Sequence, residues 1–244
     1  MNIIDVVSVR KVFSSLVALD GVSFQLNRNE VLGLIGPNGA GKTTLFNIIA
    51  GFMKPTSGKV IFEGKEITGK PSNRICRMGI ARTFQIPRPF GDMTVLENIR
   101  VAREFSHHDR SGASSIDTQT ILGMTGLADR MNVEAKKLTV SEKKRLEVAR
   151  ALATSPKVLL LDEIAAGLTP KEGEWAVNLM KKLPEMFGIS VIWVEHVMRL
   201  LMRGVQRVIV LDHGVKIAEG KPEEIVNDER VQQAYLGKKA EGQV

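Results

Sequence analysis

Val31-Leu32-Gly33-Leu34-Ile35-Gly36-Pro37-Asn38-Gly39-Ala40-Gly41-Lys42-Thr43-Thr44 is the stretch on which the reading of this chain turns. Val31–Ile35 is a continuous apolar run, which fits a strand covered on both faces. From Gly36 to Thr43 the sequence matches G-x-x-x-x-G-K-[ST], and a helix is expected from about Lys42 to Gly51. Glycines let the backbone wrap so that its N–H groups face phosphate oxygens, and the helix N-terminus adds partial positive charge. Lys42 is the residue to meet the β- and γ-phosphates, and the Thr43 hydroxyl the one to ligate Mg2+. Gly36, Pro37, Asn38, Gly39, Ala40, Gly41, Lys42, Thr43 and Thr44 are therefore the expected ATP-binding residues.

Val158-Leu159-Leu160-Leu161-Asp162-Glu163 supplies a second motif. A buried strand ends there in two carboxylates, and open α/β sheets bind ligands at the carboxyl ends of their strands. Asp162 is expected to hold Mg2+ through water, and Glu163 to face the water that attacks phosphorus. Alone, an apolar run ending in Asp-Glu is an ordinary strand end. Beside a phosphate loop it describes an ATP hydrolase on an α/β core of the P-loop NTPase class.

The rest of the chain organises around these motifs. Asn2–Val12 alternates loosely and Val22–Leu26 cleanly, as half-exposed antiparallel strands do, and Lys59–Phe62 follows a turn at Pro55–Gly58. From about Gln85 to Ala153 the pattern is mainly helical, with Thr94 placed to cap a helix reaching Phe105. Ser106–Ser115 reads as a polar loop. Its adjacent His107 and His108 invite a metal reading, but neighbouring side chains on a loop rarely converge on one ion. Ser190–Val194 repeats the doubly buried strand, and Pro170–Phe187 is helical with Pro170 in its first turn. Asp212-His213-Gly214 signals a hairpin, and Gly237–Val244 reads as a frayed tail.

Composition excludes several classes. The 244 residues suit one domain with an inserted lobe, and 43% hydrophobic with 25% charged residues is ordinary globular composition. Lys and Arg number 34 against 27 Asp and Glu, a surplus of +7 that admits nucleic acid, an anionic membrane surface or a nucleotide as partner. Aromatics at 5% argue against stacking of unpaired bases. The single Cys76, read as a small packing residue, points to a reducing compartment. No apolar run reaches the length of a membrane span, and Asp5 interrupts any signal-like stretch. A soluble cytoplasmic chain is expected, touching a membrane only through a partner.

With these residues in view, the chain resembles the ATP-binding subunit of an ABC transporter over nearly its whole length, with that family's motifs in order. The resemblance implies a RecA-like core with an antiparallel β subdomain and an inserted helical subdomain. One domain would cover 1–240, with 1–85 and 154–240 forming the core and β subdomain and 86–153 the helical subdomain. It implies that Gln85, in Thr83-Phe84-Gln85, senses Mg2+ and the γ-phosphate and links the core to the helical lobe. His196, after Ile192-Trp193-Val194-Glu195, matches the histidine that contacts the γ-phosphate. Glu163, His196 and Gln85 are then the catalytic set, and Thr43, Gln85 and Asp162 the metal set. Phe13 stands where the family stacks an aromatic on adenine; a core position explains it equally well.

Four stretches narrow the resemblance to subunits of branched-chain amino acid uptake systems: Ile80–Gln85, Met93–Asn98, Ala166–Pro170 and Ile217–Gly220. Related importers for amides and urea share this style. The implied partners are transmembrane permease subunits and a second ATPase subunit, related or identical, on the cytoplasmic face of the membrane. Ile86-Pro87-Arg88-Pro89-Phe90 is the segment expected to meet the permease, or else to pack on its own lobe.

One departure matters. The family signature is Leu-Ser-Gly-Gly-Gln, and the matching residues here are Leu138, Thr139, Val140, Ser141 and Glu142. In the family this segment closes over the partner subunit's phosphate loop, and side chains at Val140 and Ser141 obstruct close backbone approach. Ser141 is alternatively the cap of a helix from Glu142 to Ala153. Lys143, Lys144 and Arg145 are either a solvated face or a compensating charge toward the partner's nucleotide. Thr169 replaces the usual aspartate of the D-loop. An asymmetric dimer with a distinct ATPase subunit is expected. Two rival readings stand beside this one: a subunit that holds ATP without hydrolysing it, and an ATPase linked to nucleic acid, for which the charge surplus is the only support.

Overall fold

The computed structural model describes residues 1–104, 116–167 and 169–240. The expected loop with His107 and His108, Leu168 of the Ala166–Pro170 stretch, and residues 241–244 lie outside them.

β1 (Asn2–Phe13) and β2 (Leu16–Asn27) form a long hairpin, followed by β3 (Val31–Ile35) and α1 (Lys42–Ile49). β4 (Ser57–Phe62) and β5 (Lys65–Glu66) complete a four-stranded antiparallel sheet in the order β2-β1-β4-β5. α2 (Ser72–Met78) and β6 (Ile80–Arg82) lead into α3 (Val95–Glu104), α4 (Thr118–Thr125) and α5 (Val140–Ala153). The chain then alternates through β7 (Val158–Asp162), α6 (Pro170–Phe187), β8 (Ser190–Val194), α7 (Met198–Gly204) and β9 (Arg207–Asp212). It ends with β10 (Val215–Gly220), α8 (Pro222–Val226) and α9 (Glu229–Ala240). The second sheet has six strands in the order β10-β9-β3-β8-β7-β6, all parallel except β10. Among the described residues no helix is long and apolar enough to cross a membrane.

The continuous apolar runs have a direct cause. Along β3, β7 and β8, alternate residues enter two cores on opposite faces of the sheet. Val31, Ile35, Leu159, Leu161, Val191 and Trp193 pack with α5 and α6. Leu32, Leu34, Val158, Leu160, Ile192 and Val194 pack with α1 and the antiparallel sheet. A polar residue at any of these positions would be buried, so the period-two alternation disappears from the sequence. Each fully buried Leu, Ile or Val contributes about 1.5–3 kcal/mol.

Register carries these strands to a common edge. Leu34 lies level with Val194, and Val194 with Asp162. The phosphate loop after Ile35, the segment after Val194 and the turn after Asp162 therefore leave the sheet side by side.

Three helices begin with the same device, Thr-x-x-Glu. Thr94 and Glu97, Thr139 and Glu142, and Thr169 and Glu172 each exchange side-chain and backbone hydrogen bonds. Two first-turn backbone groups are satisfied at each start. This corrects the expectation for Ser141: Thr139 caps α5, which begins at Val140, because only Thr139 has a glutamate three residues on. Asn98, fully buried in α3, donates to the carbonyls of Phe90 (3.0 Å), Met93 (3.3 Å) and Thr94 (3.0 Å) and accepts from Phe90 N–H (2.9 Å). It thereby ties the segment after Gln85 to the helix. α9 carries the buried Val231 near its start.

Candidate functional site at the carboxyl edge

The phosphate loop leaves β3 at Ile35 and enters α1 at Lys42. Gly36 and Gly41 have φ of +151° and +100°. A Cβ on Gly36 would stand 2.1 Å from the Leu211 carbonyl oxygen, and one on Gly41 2.6 Å from that of Ala18. The loop is thus clamped between β9 and β2, and side chains are excluded at both points. The His213-Gly214 turn closes on it, Gly214 N–H donating to the Ala40 carbonyl at 3.2 Å. Pro37 and Ala40 are buried, whereas Asn38, Gly39 and Thr43 are exposed and Thr44 is half-buried. Lys42 folds back, its Nζ donating to the carbonyls of Gly36 (2.7 Å) and Pro37 (3.0 Å). α1 has no side-chain N-cap bond and no acidic residue in its first turn. The positive end of the helix is therefore not neutralised by a carboxylate of that turn.

Asp162 ends β7 almost fully buried. Its backbone N–H donates to Thr83 Oγ1 at 3.1 Å, and Oδ2 lies 3.3 Å from Arg82 Nη2. Burial disfavours both charges: it pushes the Asp162 carboxyl up and the Arg82 guanidinium down, and their mutual attraction offsets part of each.

Glu163 follows with φ +52°, a left-handed conformation that costs a non-glycine residue about 1–2 kcal/mol. The turn is held by its N–H donating to the Val194 carbonyl at 2.9 Å. Glu163 Oε2 accepts from Gln85 Nε2 at 2.7 Å, and Oε1 lies 2.7 Å from His196 Nε2. Two side chains from distant stretches of sequence, Gln85 and His196, thus meet at one carboxylate. Below them, Lys144 Nζ donates to the carbonyls of Glu163 (3.0 Å) and Ala166 (2.6 Å). Glu195 accepts from Ala165 N–H at 2.5 Å and from Trp193 Nε1 at 3.3 Å, and burial pushes its carboxyl up.

The signature residues form a second locality, at the start of α5. Thr139 and Glu142 are bonded to each other, and Glu142 Oε1 accepts from Arg130 Nε at 2.9 Å. The Thr139 backbone N–H, foremost, holds the Glu142 carboxyl below its ordinary range. Ser141 Oγ donates to Glu172 Oε1 at 2.5 Å, and Val140 is 73% exposed. Phe13 is 41% exposed, with Lys11 Nζ 5.0 Å from its ring centre; the core reading of this residue is excluded. Of the basic run, Lys144 is turned inward and the Arg145 guanidinium lies 5.0 Å from the Trp175 ring centre, so neither belongs to a freely solvated face.

Sequence reasoning missed Lys144, Glu195 and Arg82. Lys144 sits inside a charge run that reads as solvated, and Glu195 beside a histidine that draws the attention. Arg82 ends a strand of three residues, too short for periodicity to reveal.

Comparison with known proteins agrees with this geometry. The ABC transporter family pattern matches residues 19–166, and the pattern described as branched-chain amino acid ATP-binding cassette transporter matches residues 215–241. The high-affinity branched-chain amino acid transport ATP-binding protein LivG of Salmonella typhimurium is 40% identical, covering 92% of this chain and 94% of that protein. BraF of Pseudomonas aeruginosa, of the same description, is 36% identical over 96% of this chain and 98% of its own. Among solved structures, a nucleotide-free ATP-binding cassette from an ABC transporter superposes with a TM-score of 0.86 at 32% identity, covering 96% of this chain and 99% of that one. The chain belongs to the ABC transporter family, as one of its ATP-binding cassette ATPases.

Proposed function

We propose that this cassette hydrolyses ATP to power a membrane importer of branched-chain amino acids, working against permease subunits at the cytoplasmic face of the membrane. The convergence of Gln85 and His196 on Glu163, at the strand edge that also carries the phosphate loop, is the observation that carries the hydrolytic reading. The substrate class rests on likeness to LivG and BraF and on the match at residues 215–241.

The loop suits a polyphosphate: it combines an ammonium, exposed backbone and an uncapped helix N-terminus. Lys42 exchanges its bonds to the Gly36 and Pro37 carbonyls for phosphate oxygens. The donors of Thr43 and Asp162 are hard oxygens, which suit Mg2+ bound together with phosphate. Mg2+, when bound, neutralises charge on the β- and γ-phosphates. Glu163 orients the attacking water and takes its proton as the new P–O bond forms and the bond to ADP breaks. Gln85 and His196 fix that carboxylate from its two sides, and Phe13 offers a ring to adenine. Closure of two subunits around ATP drives the permease, docked between core and helical lobe near Ile86–Phe90.

The signature supports an asymmetric pair. Glu142 sets its own carboxylate on the start of α5, and Val140 projects where the family has glycine. An incoming γ-phosphate would meet a like charge there. This chain's Lys42 and Glu163 are completed by the signature of a second, related ATPase subunit, and the opposite site is weaker. Phosphate release measured with the permease and partner subunits tests both statements. Turnover abolished by Glu163→Gln supports hydrolysis, and equal negligible turnover in wild type and variant refutes it. Vigorous turnover by a homodimer, dependent on Ser141, refutes the asymmetry.

A further inference from the structure

Arg82 is 6% exposed at its side chain, and its guanidinium is engaged on every edge. Nη1 donates to Asn47 Oδ1 of α1 at 2.5 Å, Nε to the Thr83 carbonyl at 3.2 Å, and Nη2 to Asp162 Oδ2 at 3.3 Å. Its Cζ lies 5.0, 5.6 and 5.9 Å from the ring centres of Phe84, Phe52 and Phe46. Phe52 and Phe84 meet edge to face at 5.5 Å. Those two rings, 53% and 40% exposed, line a cavity of about 400 Å3 together with Arg82, Phe90, Glu147 and Arg150. One planar group therefore touches the helix of the phosphate loop, the carboxylate at the end of β7 and the wall of the cavity.

A buried guanidinium is a poor choice for packing alone, because an apolar side chain of similar volume is often as stable or more so. Its fixed fork does something an apolar residue cannot: it sets the direction of a carboxylate relative to a second anchor. Resting on the reading of Asp162 as a metal-holding carboxylate, we propose that Arg82 is a positioning residue that aims Asp162 at the metal. Nucleotide affinity without metal, which depends on the loop, is left untouched.

The test uses the full chain and titrations of ATP without metal, then of Mg2+ into the ATP-bound chain, by calorimetry. For Arg82→Met the expected result is an unchanged ATP affinity in EDTA and a roughly tenfold rise in half-saturating Mg2+. Arg82→Lys keeps the charge but not the fork and is expected to recover only part of that loss; it carries the same comparison should Arg82→Met not fold. Half-saturating Mg2+ within about twofold of wild type in the Arg82 variants, or lowered, overturns the positioning role. Full rescue by lysine reduces it to charge alone and also overturns it. A wild-type chain that binds no ATP overturns the phosphate-loop reading instead, which the EDTA titration separates from all of these.

Discussion

His196 Nε2 lies 2.7 Å from Glu163 Oε1, while the other oxygen of the same carboxylate accepts the Gln85 amide at 2.7 Å. A general base gains from such a double anchor, since its direction is set before substrate arrives. Replacing Glu163 with glutamine keeps size and polarity but removes the proposed base. ATP hydrolysis is expected to fall roughly 10²–10⁴-fold. ATP binding, measured by equilibrium dialysis, should persist; lost binding in Glu163→Gln would contradict this role.

Gln85 and His196 act on one group, so their effects should not be independent. His196→Ala and Gln85→Ala are each expected to lower kcat, and the double variant to lose clearly less than the product of the two. Strict multiplicativity in a double-mutant cycle would show that the two residues serve separate steps.

Glu172 gives a pH signature. The Ser141 hydroxyl, then the backbone and side chain of Thr169, lower its pKa from the ordinary 4.5 to about 2. A depressed carboxylate pKa stabilises the fold fully above the unfolded value and loses that contribution as pH falls through the folded one. Melting temperatures of wild type and Glu172→Gln should therefore differ most above pH 4.5 and converge as the pH approaches 2. A difference that stays constant over that interval would count against the Ser141–Glu172 bond.

Asn98→Ala removes four hydrogen bonds from a buried position and takes from the Phe90 N–H its side-chain acceptor, while the carbonyls of Phe90, Met93 and Thr94 keep the backbone donors Met93, Ala135 and Asn98. A loss of about 2–4 kcal/mol in denaturant-unfolding stability is expected. A loss smaller than about 1 kcal/mol would mean that the segment after Gln85 is held by other contacts.

Local chemistry was legible from sequence where one short stretch contains it. The phosphate loop needs its glycines, lysine and hydroxyl within nine consecutive residues, Gly36 to Thr44, and β3, β7 and β8 announce themselves because burial on two faces leaves no polar residue except at a strand end, Asp162 and Ser190. The α5 start was misassigned because both Thr139 and Ser141 carry hydroxyls, and only the spacing to Glu142 distinguishes them. Arg82 and Lys144 were illegible as partners because their bonds to Asp162, Glu163 and Ala166 span 19 to 80 residues. No local pattern encodes such a pairing.

The shared level of Leu34, Val194 and Asp162 also has an evolutionary cost attached to it. Alternate residues of a strand point to opposite sides, so slipping β7 by a single residue would send Asp162 to the opposite face and move the turn at Glu163 away from the Val194 carbonyl. Every apolar residue of the strand would change cores, and the contacts of Asp162 with Arg82 and of Glu163 with Gln85 and His196 would be lost together. An insertion or deletion inside Val158–Asp162 is therefore forbidden twice over, by chemistry and by packing, and length variation among related chains must be absorbed in the segments between strands.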